Sequence, residues 1–509
     1  MLSTFDVAVI GYGASGAVLA DLLLSSGLSV VIFDRWPNVL EIPRAAHIDD
    51  ETMRTFQMLS IPEAMPDSVI PTADYAIYDA LDRRIGGYPG LESEPTDQGW
   101  LSDYYFVQPA IEHYLRKRAT ENGAMQKLGC QVVDLEEHQD KVLVSYIRSG
   151  ASEKSATEQV LARYVVGCDG SNSFVCKHLD IGVDQLADSQ RWMIVDIRVN
   201  EGVPVDINRE AWTKVTQKET LTYVPMPQHM HRFEFALTED MKEEDVKTPA
   251  AVADFVSKWF APGDYEVLRA HVYHFHSRVA QRWRVGRVFL AGDSAHTMPP
   301  FLGQGVCSAI RDSLNLGWKL ARVLKGSAPE ALLESYESER HPNAYNYVKM
   351  AGAVGDRLRW MATATAEELA TLERQDFGDA QVVHVRLGLG AGMHEPAARG
   401  GGRLSPQPFL ADGRRLDDAV GYNFALVGDP ALISQLSSEV RSSLEAIGAV
   451  LVPDGSQAVV SAISAIGGSV MLIRPDRYLV GVAESVEGIE EMVRGLATRL
   501  LVNEVSDLS

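Results

Sequence analysis

The chain has little cysteine. Its four cysteines (Cys130, Cys168, Cys176, Cys307) are scattered over 509 residues, with no CxxC pair and no metal-ligand spacing. That excludes a disulfide-stapled scaffold or a cysteine zinc site, and it fits free thiols in a reducing compartment. Positive charge is also scarce: 47 Lys and Arg stand against 69 Asp and Glu, a net charge of -22. Such a surface repels nucleic acid and anionic lipid, though a local pocket can still reverse the mean sign. No apolar run approaches the ~20 residues of a membrane span. The opening "MLSTFDVAVIGYG" runs directly into a strand pattern, with no cationic start before an apolar core. Internal repeats and low-complexity tracts are absent. The expectation is a cytoplasmic protein with neither a nucleic acid nor a membrane as partner.

Against these absences stand 46% hydrophobic and 23% charged residues, a globular composition in a chain long enough for two or three domains. The apolar run "FDVAVI" suits a buried parallel strand. "GYGASG" (11–16) follows, then a helical stretch ending near Gly27, then a second buried strand, "SVVIFD", closing on Asp34. In this βαβ unit Gly11 allows the tight turn, Gly13 lets backbone approach a pyrophosphate, and Gly16 lets helix pack on sheet. The helix start offers free N–H groups to phosphates, and Asp34 is placed to accept from ribose hydroxyls.

"VQPAIEHYLRKRA" (107–119) reads as a helix with Pro109 in its first turn. Between 190 and 277, "RWMIVDIRV", "LTYVPMP", "HRFEFALT" and "HVYHFHS" alternate as long strands of an inserted, mostly antiparallel sheet. The chain returns at "RVFLAGD", which puts Asp293 at the carboxyl end of a buried strand, where ligands of open α/β sheets lie. "GQG" (303–305) then opens a long helix whose Gly305, Ala309, Ser313 and Gly317 are small and four apart, so one face can lie very close to backbone or a flat ligand. One helix start can hold a pyrophosphate and the other an electron-rich ring, with Asp293 on a polyol between them. FAD has those three parts in that order. After about 390 the sequence loosens, with "GLGAG" (388–392) read as linker. The last hundred residues read as a separate α/β unit, including one helix over "LISQLSSEVRSSLEAIG" and a strand pair in "VMLIRPDRYLVGVAE".

"GYGASG", "VVGCDGSNS" and "FLAGDSAHTMPPFLGQGVCSAIRDSLNLGWKLA" resemble the three motifs of the single-component (group A) FAD-dependent aromatic hydroxylases, most nearly the 3-(3-hydroxyphenyl)propionate hydroxylase branch. "IPRAAHIDDETMRTFQ" and "FVQPAIEHYLR" match that branch as well. The resemblance implies an α/β fold with three parts. A Rossmann-like, p-hydroxybenzoate hydroxylase-like FAD-binding domain would take 1–70, 101–180 and 278–390. An antiparallel substrate-binding sheet would take 71–100 and 181–277. A thioredoxin-like domain, without redox cysteines, would take 400–509.

It also implies roles. Gly11, Gly13 and Gly16 with Asp34 would hold the ADP half of FAD, Ser15 and Arg35 would also bind the cofactor, and Arg44 and Gln108 would face it. Asp169 would serve FAD and the nicotinamide cofactor; Gly292 and Asp293 would meet the ribityl or ribose region. Pro300 would edge the active site, and Gly303, Gln304 and Gly305 would meet the pyrimidine end of the flavin. Two departures stand out: Cys176 replaces the basic residue usual in the Asp-Gly motif, and Arg477 replaces the glycine of "LIRPDRYLV".

The implied reaction is an NADH- or NADPH-consuming monooxygenation with O2 as co-substrate. A flavin C4a-hydroperoxide would hydroxylate a small phenolic or related aromatic acid, ortho to an existing hydroxyl. The alternatives are a halogenase or reductase on the same fold and a non-catalytic flavin-binding protein. A homodimer through the C-terminal domain is carried as a hypothesis. Phenols ionise near pH ~10, so a base helps activate the ring. His47 is the candidate, in the segment after Arg44, weighed against a histidine that only hydrogen-bonds within its loop. Trp192, Tyr223 and Phe235 are candidate walls of an aromatic pocket, weighed against plain core. His296 in "GDSAH" cannot form a triad with its adjacent Ser294 and Asp293. His271, His274 and His276 lack a third ligand cluster, so no metal is expected.

Overall fold

The computed structural model describes every residue except 1, 43, 73–74, 89–93, 149, 151–156, 206, 208–209, 218, 371–385, 395–398 and 502–509. Parts of the expected FAD-binding span (371–385) and of the expected linker (395–398) therefore lie outside the described residues.

The expected βαβ unit is present. Thr4–Ile10 pairs in parallel with Val30–Asp34 on one side and Glu158–Gly167 on the other, and Val288–Leu290 extends the sheet beyond 158–167. Val7, Ala8, Val9, Val31, Ile32 and Phe33 are buried, as continuous apolar runs must be when both faces of a parallel sheet are covered. The helices Ala14–Ser25 and Gln304–Leu324 pack together across it. The small-residue stripe of the second helix is spent here: Ser313 Oγ donates to the Ser15 carbonyl at 2.9 Å and Ser15 Oγ to the Ala309 carbonyl at 3.2 Å. Its close partner is therefore the first helix and not a ligand.

The inserted sheet has eight strands. From one edge to the other they are 296–297, 265–280, 183–199, 230–236, 220–226, 211–215, 75–78 and 84–88. Its odd-numbered residues Met193, Val195 and Ile197 form one apolar face with Phe233 and Tyr223, covered by Val252, Phe255 and Val256 of the helix Pro249–Val256. The even-numbered face looks the other way, toward the helix Glu334–Thr363 and the cofactor segments. A small third sheet pairs His47–Asp49 with Asp103–Phe106, and the latter with Val69–Pro71.

The C-terminal unit is a four-stranded sheet in the order 450–453, 425–428, 470–473, 479–483, with the first pair parallel and the other two antiparallel. The helix expected over 432–448 is two helices, Pro430–Ser434 and Ser438–Ala446, because the Ser437 hydroxyl caps the second by accepting from Val440 N. "GLGAG" is not loose: a Cβ on Gly390 would fall 2.1 Å from the Ser338 carbonyl, and one on Gly392 2.1 Å from Glu339 Oε1. Those glycines let the chain lie directly on the helix Glu334–Thr363.

Buried charge joins this unit to the rest. Arg474 donates to Glu339 through two bonds of 2.7 Å, and Lys319 donates to the same carboxylate at 2.7 Å. Arg54 donates to Asp417 at 2.9 and 2.8 Å, and Arg477 pairs with Asp417 at 3.0 Å. Arg477 has φ +72°, so the glycine usual at this position is replaced by a residue that keeps the left-handed backbone and adds a buried ion pair. Removing one member of a buried network strands its partners. Arg474→Met should therefore lower unfolding free energy by about 3–5 kcal/mol in a urea titration; a change under about 1 kcal/mol would show that the network does not hold the junction.

Candidate active site

At the first helix start, the three glycines do different work. Gly11 has φ +100°, and a Cβ there would fall 2.2 Å from the Cys168 carbonyl oxygen; one on Gly16 would fall 2.1 Å from the Gly11 carbonyl oxygen. Both are closed by backbone. Gly13 is open, its nearest neighbours being Arg44 Nη2 at 3.6 Å and Glu112 Oε1 at 3.9 Å. The helix start at Gly13 has no side-chain cap, so its first amides are available to an anion. Asp34 accepts from Arg116 Nη2 at 2.7 Å and from the Trp36 amide at 3.0 Å. Arg116 also lies 4.6 Å over the Tyr12 ring, and its Nε and Nη1 are buried with no hydrogen-bond partner among the described residues. Arg35 lies outward, with its guanidinium 5.7 Å from the Trp36 ring.

Arg44 and Gln108 are brought together through a residue the sequence reading missed. Buried Glu112 accepts from Gln108 Nε2 at 2.7 Å and from Arg44, while Gln108 Oε1 accepts the Ala45 amide at 2.8 Å. Gln108, Glu112 and Arg116 are four apart on the helix Gln108–Glu121, a spacing that places them on one face. That spacing was a readable signal.

Asp169 spends its carboxylate on the chain itself. It accepts from Ser173 Oγ at 2.5 Å, the Phe174 amide at 2.6 Å and Ser294 Oγ at 2.9 Å. Cys176, in the place of the usual basic residue, is buried behind it, and Lys177 turns outward to Asn172. Asp293 is the opposite case: it is exposed and makes no hydrogen bond to any described residue. The protein packed around it raises its pKa by burial, with Asp312 adding to the rise and His296 and Arg44 opposing it. Gly292, at φ +62°, sets this turn against Ser15. His296 takes no part in a triad: its Nε2 bonds Asp312 at 2.7 Å and its ring stacks on Trp283.

The second helix start is built by Gly303, which has φ +62°; a Cβ there would fall 2.3 Å from His47 Nδ1. It too has no side-chain cap. Pro300 opens the preceding turn, Pro300–Leu302. Gln304 is turned inward, accepting from Arg311 at 2.8 Å, whereas Gly305 is open, with only Met298 within 4 Å, at 3.8 Å. His47 is bracketed, Nε2 to Asp103 Oδ1 at 2.7 Å and Nδ1 to the Gly303 carbonyl at 3.3 Å. Burial, the largest influence, works to lower its pKa, but Asp103, with Asp49 and the Gly303 carbonyl adding, outweighs that and raises it. An imidazolium donating from both nitrogens suits these partners. It leaves neither nitrogen free for a substrate.

The three aromatic candidates divide between the two faces of the sheet. Tyr223 and Phe235 belong to the apolar face under the helix Pro249–Val256, packed with Phe233 and Phe255. They are core, not cleft walls, because residue parity puts them on the outer side of the sheet. Trp192 lies on the inner side, 5.4 Å from Phe301. His274 and His276 pair with Glu243 and Ser189.

These elements lie close to one another. Gly13 lies beside Arg44, Gly292 beside Ser15 and Gly303 beside His47; Asp293 is within electrostatic reach of Arg44, and the first turns of the two uncapped helices, at Ala14 and Val306, line one cavity with Gln108 and Glu112. The features fit FAD: an open glycine for its pyrophosphate, acceptors for its polyols and amides for its ring. The FAD binding domain family matches residues 4–351, and the chain belongs to this family of FAD-dependent aromatic hydroxylases. It is 31% identical to the probable NADH-specific resorcinol 4-hydroxylase of Rhodococcus jostii (strain RHA1), over 96% of this chain and 94% of that protein. It is 29% identical to a 3-(3-hydroxy-phenyl)propionate/3-hydroxycinnamic acid hydroxylase of Mycolicibacterium smegmatis, over 94% of this chain and 90% of that one. Among solved structures, the flavin-dependent monooxygenase PieE in complex with FAD and substrate aligns over 98% of this chain and 99% of its own, with TM-score 0.79 and 19% identity. The protein is an FAD-dependent aromatic monooxygenase.

The glycines give a separable prediction. Gly11→Ala should prevent stable folding, since the new Cβ meets backbone in a left-handed conformation. Gly13→Ala should leave the unfolding free energy of the FAD-free protein within about 1 kcal/mol of the parent while weakening FAD binding, read by flavin fluorescence titration. Equal FAD affinity in Gly13→Ala and the parent would remove the pyrophosphate from this turn.

Proposed function

We propose that this enzyme uses NADH or NADPH and O2 to hydroxylate a small phenolic ring, ortho to an existing hydroxyl, in a cleft between the two helix starts and the inner face of the large sheet. The observation that carries the reading is that two uncapped helix starts line one cavity with Gln108 and Glu112, with Arg44 between Gly13 and Asp293 and an inner sheet face that holds Trp192 packed on Phe301. Bound FAD supplies the chemistry of taking a hydride and passing one oxygen atom from O2 to the ring. The chain supplies the rest.

Amides at Gly13 and the Arg44 guanidinium, held by Glu112, bind the pyrophosphate, and Asp34 and Asp293 accept from the polyols. The helix start at Gly303–Gly305 favours negative charge at the ring's pyrimidine end. His47 acts here as a positioning residue: it holds a proton between Asp103 and the Gly303 carbonyl and so fixes the turn that meets the ring. The inner sheet face, Phe301 and the helix Glu334–Thr363 exclude water from the reacting ring. The resorcinol and hydroxyphenylpropionate activities of the relatives support a hydroxylated aromatic substrate. A cytoplasmic place and a homodimer through the C-terminal unit belong to the same reading; light scattering at micromolar concentration checks the dimer.

NADH and NADPH oxidation by the FAD-loaded protein should rise at least about tenfold with the right phenol in a panel of hydroxylated aromatics, and the product should gain one oxygen next to a hydroxyl. FAD bound with no stimulation by any phenol would overturn the reading.

His47 gives a pH test. A folded-state pKa raised above the usual ~6.5 stabilises the fold fully below that value and loses this contribution as pH rises through the folded pKa. The stability advantage of the parent over His47→Gln should be largest near pH ~5.5 and shrink by pH ~9. An advantage independent of pH, together with unchanged turnover and pH profile in His47→Ala, would remove the charged imidazole from this role.

A further inference from the structure

One buried carboxylate has no part in the FAD site. Glu234 lies on the inner face of the large sheet, 6% exposed, between Ile194 and Thr222 on the flanking strands. Its strand is tied to the cofactor segment, since Arg232, two residues back on the same face, donates to the Arg44 carbonyl at 3.1 Å. Two residues onward, Ala236 pairs with Trp192, which packs on Phe301. Glu234 therefore sits between the two places where this face meets the cofactor turns. Two apolar clusters belong to the same part of the fold, Val224 with Val107 and Ala46 in one and Ile77 with Val215 and Phe301 in the other.

The carboxylate accepts no hydrogen bond from any described residue; its nearest cation, Arg232 Nη1, is 3.8 Å away. Arg232 is instead committed to Asp196 through Nε at 2.8 Å, and Arg269 Nη2 pairs with Asp196 at 2.6 Å. Beside Glu234 runs a chain of hydroxyls, Thr222 to Thr213 at 2.7 Å and Thr213 to Tyr75 at 2.7 Å. The charged groups facing Glu234 are thus Arg232, Arg269 and Asp196, with Tyr75 and, on the far strand, His271 opposite Ile194. Two cations against two carboxylates leave no net positive charge. An ionised carboxylate can only accept hydrogen bonds, and leaving one buried without a donor is costly.

We propose that Glu234 is the acceptor for the substrate's ring hydroxyl, and that the site consequently takes an uncharged hydroxylated ring in preference to an aromatic carboxylate. In the step this assigns, the substrate O–H bond breaks, its electron pair stays on the ring oxygen, and the proton bonds to a Glu234 carboxylate oxygen. The ring is then electron-rich enough to receive an electrophilic oxygen. Burial, the largest influence, raises the pKa of Glu234, with Arg232 opposing and Asp196 adding, which suits a group that must take up a proton. This inference rests on the hydroxylase reading.

The test uses the FAD-loaded full chain. Binding of 1,3-dihydroxybenzene, 3-methoxyphenol, 1,3-dimethoxybenzene and 3-hydroxybenzoate is read from the change in the flavin absorption spectrum, and turnover from NADH oxidation. In the parent, 1,3-dihydroxybenzene should bind at least about tenfold more tightly than the dimethyl ether or the benzoate. Glu234→Gln should keep its FAD and bind 1,3-dihydroxybenzene within a few-fold. Its turnover should fall about a hundredfold, with loss of the acidic limb of the pH profile. Equal binding of the dimethyl ether, tighter binding of the benzoate, or an unchanged turnover and pH profile in Glu234→Gln would overturn the inference while leaving the hydroxylase reading intact. If Glu234→Gln fails to hold FAD, the ligand series on the parent decides alone. Absence of turnover by the parent with every phenol would instead sink both.

Discussion

The cleft depends on one buried carboxylate. Asp312, in the middle of the helix Gln304–Leu324, accepts from the Gly292 amide at 3.0 Å, from His296 Nε2 at 2.7 Å and from Arg340 Nε at 2.9 Å. Those three bonds tie the loop that carries Asp293 to the helix whose start is Gly303 and to the helix Glu334–Thr363. Burial alone would raise the pKa of Asp312, but His296 and Arg340 outweigh it and lower it. The carboxylate therefore stays charged and the loop stays fixed. With Asp312 satisfied by the chain, Asp293 has no hydrogen-bond partner among the described residues. Residues at a cofactor site divide in this way: most polar groups are consumed in holding the shape, and few are left to touch what binds.

The same division runs through the rest of the site. Gly11 and Gly16 bring backbone to backbone, and Gly13 alone stays open. Asp169 closes its own loop. Asp34 is held by Arg116 and the Trp36 amide, which fixes its direction. His47 is bound at both nitrogens and tied to the helix start. On the large sheet, Asp196 gathers Arg232 and Arg269, and Glu234 keeps its acceptor capacity. Pre-organised groups of this kind are not disturbed when the ligand arrives, so their electrostatic effect costs no reorganisation.

Much of this was legible before any coordinates. The strand, glycine turn, helix, strand and acid of residues 5–34 follow from patterns that act over short distances, and so do the strand end at Asp293 and the helix start at Gly303. What stayed hidden depended on long-range partners. Glycine spacing marked a narrow helix face at Ala309 and Ser313 but not that the first helix fills it. Aromatic residues in alternating strands could not be assigned to a face without knowing which side the helix Pro249–Val256 covers, which is why Tyr223 and Phe235 proved to be core. Glu112 and Asp103 acquire their importance from partners 68 and 56 positions away, Asp312 from the Gly292–His296 loop and the helix Glu334–Thr363 together, and Glu234 only from what fails to reach it. The break at Ser437 was a local signal that the reading overlooked: a serine ahead of a helical stretch is a ready N-cap.

Whether this enzyme directs one atom of O2 into a hydroxylated ring is read most directly from turnover under 18O2 in ordinary water. The product should carry one 18O atom for each nicotinamide oxidised in the coupled reaction, and turnover under ordinary O2 in H2 18O should place no label in the new hydroxyl. Label taken from water, or NADH oxidation that yields only peroxide with every aromatic tried, would contradict the account.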